Sequence, residues 1–124
     1  MNTIANFSIN IDEAVQLLKS GNVVAIPTET VYGLAADASN PDAVLKIFEL
    51  KKRPKNHPLI VHIANTDQIK YWATDIPDAA YQLTNVFWPG PLTIVLKKAP
   101  QIDSTVTGGQ DTIALRSPRH PITQ

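Results

Sequence analysis

Short apolar runs alternate with helix-patterned stretches along the chain, and that alternation restricts the fold more than any single motif does. Val23-Val24-Ala25-Ile26 is continuously apolar and closed by Pro27, Leu59-Ile60-Val61-His62-Ile63 is a second such run, and residues 92–96 are a third. Uninterrupted runs of this length fit strands covered on both faces, so 23–26 reads as a central strand and 59–63 as another buried one. Residues 112–116 alternate instead, with Ile113 and Leu115 on one face and Thr112, Ala114 and Arg116 on the other. Between the strands lie helix signals. Ile11, Val15 and Leu18 fall at helical spacing, Asn10 or Asp12 can cap the start and Gly21 the end, which predicts a helix over 11–20. Asn40-Pro41-Asp42 combines a capping amide, proline at the first helical position and an acid in the first turn, which predicts a helix over 41–51. A short helix over 67–72 is expected, with Thr66 or Asp67 as its cap. Another opens at Pro77-Asp78 and must stop before Pro89-Gly90-Pro91. Residues 101–110, with Gly108-Gly109, read as loop. The expected class is α/β, with a twisted, open and mixed sheet flanked by helices.

At 124 residues the chain fits a single domain over 1–124 and is long enough to bury roughly two-thirds of the surface its unfolded form exposes. With no cysteine, disulfides, thiolate nucleophiles and cysteine-ligated zinc are excluded. The N-terminal residues carry neither a basic region nor an apolar stretch of signal-peptide length, and no apolar run could cross a bilayer, so a cytoplasmic address without membrane contact is expected. Net charge is zero, from 11 basic and 11 acidic residues, which argues against a broad nucleic-acid-binding face. The distribution is uneven. Lys46, Lys51, Lys52, Arg53 and Lys55 crowd one segment with only Glu49 among them, a cluster suited to a nucleotide or an acid substrate.

The chemistry-bearing residues follow the same layout. Pro27-Thr28-Glu29-Thr30-Val31-Tyr32-Gly33-Leu34 sets two hydroxyls, a carboxylate and a phenol after an apolar run, as a binding loop would. Thr28 and Thr30 could equally satisfy turn amides, and Tyr32 and Trp88 could serve packing. Lys51 and Arg53, if extended by Pro54, would present both heads on one side to grip a polyphosphate; as cations near a helix end they would equally suit its dipole. Within its apolar run, His62 taken alone fits a core histidine better than a ligand contact. Arg116 ends an apolar strand and needs an anion there, from an acidic side chain or a substrate carboxylate. His57, His62 and His120 lack metal spacing, so no protein-bound transition metal is expected and any Mg²⁺ would arrive with a nucleotide. Phosphate-loop, dinucleotide and nucleophile-elbow motifs are absent.

Taken in order, Pro27-Thr28-Glu29-Thr30-Val31-Tyr32-Gly33-Leu34, Lys51-x-Arg53-Pro54, Pro58-Leu59-Ile60-Val61-His62-Ile63, Trp88-Pro89-Gly90-Pro91-Leu92-Thr93 and Ala114-x-Arg116-x-Pro118 resemble the YrdC-like family of threonylcarbamoyl-AMP synthases. The resemblance implies a YrdC-like fold and a nucleotidyltransferase that condenses L-threonine, bicarbonate and ATP into threonylcarbamoyl-AMP with release of pyrophosphate. That product would feed a downstream threonylcarbamoyl-transfer machinery that modifies tRNA. By matching position it implies Lys51 and Arg53 as catalytic residues on the ATP phosphates. Thr112 would lie near the nucleotide, as would His57, where the family often has asparagine. Thr30, His62 and Arg116 would contact threonine.

The family pattern continues beyond Arg-x-Pro to a Ser-x-Asn motif on the nucleotide, which these residues do not include, so an incomplete C-terminal part of the domain is expected. A non-catalytic YrdC-like module that binds tRNA or double-stranded RNA, or associates with ribosomes, is the alternative. A carbamoyl-transfer domain of hydrogenase-maturation type would come with cysteine motifs, which this chain lacks. The expected outcome for these 124 residues alone is weak or absent ATP- and threonine-dependent pyrophosphate release; appreciable turnover would overturn it.

Overall fold

The computed structural model describes residues 10–29 and 32–124. In chain order the elements are α1 (Ile11–Lys19), β1 (Val24–Pro27), β2 (Tyr32–Ala35), α2 (Pro41–Lys51), β3 (Ile60–His62), a 3-10 turn (Thr66–Gln68), α3 (Ile69–Trp72), β4 (Ala73–Thr74), α4 (Asp78–Phe87), β5 (Thr93–Lys98) and β6 (Thr112–Arg116). No helix among the described residues is long and apolar enough to cross a membrane.

The helix boundaries follow local chemistry. The Asn10 side chain accepts from the Glu13 amide at 3.0 Å, and the Asn40 side chain accepts from the amides of Asp42 and Ala43, with Pro41 at the first position. α2 closes at Lys52, whose φ of 52° lets the Arg53 amide reach back to the Phe48 carbonyl at 2.9 Å. The short helix differs from expectation. Its cap is Asn65, whose side chain accepts from the Asp67 amide, and the first turn is 3-10 before α3 begins.

Four strands form a mixed sheet in the order β3-β6-β5-β4, with β3 parallel to β6 and the other neighbours antiparallel. The register assigns every side chain to a face, because paired residues point the same way and successive ones alternate. Val61, Leu115 and Ile94 form one row and Ile113 and Leu96 the next, all on the side where Val44 and Phe48 of α2, Ile69 and Trp72 of α3 and Ile102 and Val106 of the 101–110 segment close the core. The opposite rows are His62, Arg116 and Thr93, then Ile60, Ala114 and Val95, then Thr112 and Lys97. There Ile60 is 51% and Val95 63% exposed, so the described residues leave this face largely open.

Two strand expectations are corrected. Among the described residues β3 lies at the edge of the sheet, and within 59–63 only Val61 and Ile63 are buried, because β3 there has a partner on one side and helices on one face. Residues 23–26 do not enter the main sheet: β1 pairs antiparallel with β2 in a separate two-stranded ribbon, Pro27 opposite Tyr32. Such a ribbon is marginal alone and needs anchoring. Lys46 supplies one anchor, donating from Nζ to the Gly21 carbonyl at 2.8 Å just before β1. The 101–110 segment is irregular, yet it buries Ile102, Val106 and Thr107 and pairs with the start of β3 through Leu59 N–H to the Val106 carbonyl. Gly108, at φ 63°, could carry no side chain, since a Cβ would lie 2.7 Å from the Asn56 carbonyl oxygen.

Phe48 is 2% exposed at the centre of this core. Phe48→Ala is expected to cost about 3–5 kcal/mol in urea unfolding; a loss below about 1 kcal/mol would show that α2 is not seated on the sheet as described.

Candidate functional site

Arg116 is the last residue of β6 and is 8% exposed, although its row faces the open side of the sheet. Burying a guanidinium is costly unless it is paired and hydrogen-bonded. Gly90 and Glu29 help to meet that demand, and a backbone bond holds the residue to β3. Nε donates to the Gly90 carbonyl at 3.0 Å, a guanidinium nitrogen donates to the Glu29 carboxylate, and the backbone carbonyl accepts from the Ile63 amide at 2.9 Å. The Pro89-Gly90-Pro91 turn is thereby tied to the end of β6, and Gly90 N–H donates to the Ser117 carbonyl at 2.8 Å as well. Only glycine fits there, because a Cβ would sit 2.5 Å from the Phe87 carbonyl oxygen.

The Glu29 carboxylate also accepts from the Arg119 amide at 2.6 Å through its second oxygen. Thr123 Oγ1 donates to the Pro27 carbonyl, so the stretch after β6 lies along the end of the β1–β2 ribbon. His62 is the register partner of Arg116 on β3, and Ser117 Oγ donates to the Ala64 carbonyl at 3.1 Å. A cavity of about 120 Å³ opens here, lined by His62, Ile63, Ala64, Pro118, Thr123 and Gln124. A volume of this order suits a small ligand better than a nucleotide. A larger hollow of about 550 Å³, lined by Asp67, Gln68, Lys70, Tyr71, Trp72 and Gln101, contains none of the predicted site residues. Chemistry rather than volume selects the smaller one.

The other predicted residues gather elsewhere. Lys51 is the last residue of α2 and Lys52 turns left-handed, so Lys51 and Arg53 do not alternate along an extended segment as expected. Arg53 donates from a guanidinium nitrogen to the Pro58 carbonyl at 3.0 Å, while its buried Nε has no partner. His57 is exposed, with its amide closing a turn on the Pro54 carbonyl. Thr112 begins β6 beside Lys97 of β5. Arg53, His57 and Thr112 thus approach the N-terminal end of the parallel β3–β6 pair, whereas His62 and Arg116 stand at its C-terminal end. Four residue steps along the strand separate Thr112 from Arg116, roughly 13 Å. Thr30 lies outside the described residues. Glu29 was not singled out as a site residue by sequence reasoning, although a buried arginine calls for an anion and Glu29 is the carboxylate of the 27–34 motif. Among the described residues no group of three or more His, Cys, Asp or Glu side chains could hold a metal ion.

The sequence matches the model of the Sua5/YciO/YrdC family, described as "Telomere recombination", over residues 16–124. It is 46% identical over 127 aligned residues to a threonylcarbamoyl-AMP synthase of Pyrococcus abyssi, covering 98% of this chain and 37% of that protein. It is 49% identical to one of Bacillus subtilis, covering 90% of this chain and 33% of that protein. The chain thus spans about a third of the length of these relatives. Among solved structures, P. abyssi Sua5 complexed with L-threonine superimposes with a TM-score of 0.88 at 49% identity, over 90% of this chain and 33% of that one.

Partial burial lowers the His62 pKa below its ordinary value of 6.5. The unfolded chain then holds that proton more tightly than the folded one. The neutral ring's contribution to stability is therefore present above the ordinary value and lost as pH falls through it towards the depressed folded value. Thermal unfolding followed from about pH 7.5 to about pH 5 is expected to show a smaller loss for His62→Gln than for the parent chain; parallel curves would contradict it.

Proposed function

The chain belongs to the Sua5/YciO/YrdC family, and from that premise we propose that it is an L-threonylcarbamoyladenylate synthase-type protein that binds L-threonine at the Arg116–His62 end of the sheet. One observation carries the reading. Arg116 of β6 and His62 of β3 are register partners at one end of the sheet, and the His62 imidazole lines a small cavity there, on a sheet face that the described residues leave open. A relative that superimposes on this chain, P. abyssi Sua5, is described as complexed with L-threonine.

In this reading the threonine carboxylate approaches Arg116 beside Glu29, and His62 exchanges a hydrogen bond with one of the ligand's polar groups, as a neutral ring can. Thr30 belongs to the same proposed set. The threonine amine combines with bicarbonate to give a carbamate and water. A carbamate oxygen then attacks the α-phosphorus of ATP, the bond to the β-phosphate oxygen breaks, and pyrophosphate leaves. No protein nucleophile is required, since the work is to hold two anionic reactants together and to offset charge on the leaving group. Lys51 and Arg53 are proposed for that second task, with Mg²⁺ arriving on the nucleotide, and His57 and Thr112 flank them at the N-terminal end of β3 and β6. The apolar row Ile60, Ala114 and Val95 between the two ends offers the nucleoside a surface. The product would enter tRNA threonylcarbamoyladenosine formation in the cytoplasm, by transfer to tRNA.

Calorimetric titration with threonine and ATP, separately and together, tests the reading. Threonine is expected to bind alone. Arg116→Ala is expected to weaken it at least roughly 30-fold, the equivalent of about 2 kcal/mol for truncating one side of a buried charge pair, with an unchanged circular dichroism spectrum to show that the variant folds. Absence of threonine binding by the parent chain, or an unchanged affinity in the folded variant, would overturn it.

A further inference from the structure

We infer that Glu29 is a positioning residue, whose carboxylate holds the Arg116 guanidinium in the orientation that receives the substrate carboxylate and fixes the wall of the cavity beside it. For its consequence on binding this rests on the threonine reading above; its structural half stands independently. Glu29 reaches across 87 residues of sequence to Arg116 and across 90 to the Arg119 amide, so one side chain joins the β1–β2 ribbon to both the end of β6 and the stretch that follows it.

Arginine has a long, rotatable stem, and one hydrogen bond leaves its planar head free to hinge. The Gly90 carbonyl engages Nε and Glu29 a different nitrogen, so both contacts constrain the plane. The same carboxylate shapes the cavity. Pro118, Thr123 and Gln124 line it, and the segment carrying them is held by the Arg119 amide on Glu29 and by Thr123 on the Pro27 carbonyl.

A competing role is that Glu29 merely occupies Arg116 until a substrate carboxylate displaces it. The geometry points the other way. The second carboxylate oxygen is engaged by the Arg119 amide at 2.6 Å, so swinging Glu29 aside would break a charge-assisted bond that the substrate does not replace. The two roles predict opposite signs, since losing a positioning group weakens threonine binding whereas losing a competitor strengthens it.

Glu29→Gln keeps the shape and removes the charge. Calorimetry on this variant is expected to show threonine affinity reduced roughly 10- to 100-fold, the scale of misplacing a binding group, while ATP affinity stays within about twofold, as for a distant site. Glu29→Asp, which keeps the charge, is expected to fall between the two. Threonine binding that is unchanged or tighter in Glu29→Gln would overturn the inference, as would equal losses for threonine and ATP. Amide hydrogen exchange by NMR supplies a readout without ligand, with Arg119 expected to exchange faster in Glu29→Gln. If the parent chain binds no threonine, the functional proposal fails. The positioning role is then decided by Arg119 alone, and unchanged protection there would overturn it.

Discussion

A positive charge buried at the end of β6 organises this molecule. The Arg116 guanidinium could not remain at 8% exposure without acceptors, and those acceptors come from parts of the chain far apart in sequence. Gly90 belongs to the turn between α4 and β5, and Glu29 to the connection between β1 and β2. Meeting the needs of one side chain therefore docks a proline-glycine turn and a two-stranded ribbon onto the sheet. A partly buried ion pair of this kind is weak evidence for stability, because desolvation offsets the attraction. Its clearer consequence is specificity of arrangement, since no apolar pair would select this register of ribbon against strand.

The sheet divides the labour between its faces. Val61, Ile94, Ile113 and Leu115 turn towards α2, α3 and the 101–110 segment and form the core, while the alternate residues face away. Alternation ties the two sets together. A one-residue slip of β3 against β6 would carry His62 into the core and Val61 into the open, so the packing that stabilises the sheet also decides which polar groups are presented.

Local signals were legible where they were written in adjacent residues. Asn40-Pro41-Asp42 specifies the start of α2 because its capping amide and its proline act within one turn, and the observed helix matches expectation at both ends. The alternation of 112–116 was equally readable, and its apolar set is the buried one. Whether a run is central or at an edge is a tertiary fact. Residues 59–63 look the same in either place, and only the observed pairing shows that β3 has one neighbour among the described residues. The ribbon was hidden for a similar reason. Tyr32-Gly33-Leu34-Ala35 is too short and too glycine-interrupted to announce a strand, and it becomes one by pairing with β1. At the site, the juxtaposition of Arg116 with His62 follows from strand register, whereas the choice of Glu29 over other acids depends on where the ribbon folds back.

The electrostatics of the two ends of β3 and β6 differ in kind, and the difference bears on what each can bind. At the C-terminal end Arg116 is paired with Glu29 and partial burial favours the neutral form of His62, so these three groups together add little net charge, and Arg119 is the further cation on the segment beside them. A site of that character gains little from a bare anion and discriminates by direction, with donors on one side and a carboxylate on the other. An amino-acid zwitterion, itself neutral and dipolar, is the ligand class proposed for it. At the other end, neither Lys51 nor Arg53 belongs to either of the two ion pairs among the described residues, Lys97 with Asp75 and Arg116 with Glu29. Unbalanced positive charge attracts a polyphosphate at a distance, where field strength matters more than direction. The reaction proposed above would draw on both characters, the dipolar end for the amino acid and the cationic end for the polyphosphate. The span from Thr112 to Arg116, roughly 13 Å of strand, separates the two on a single rigid element.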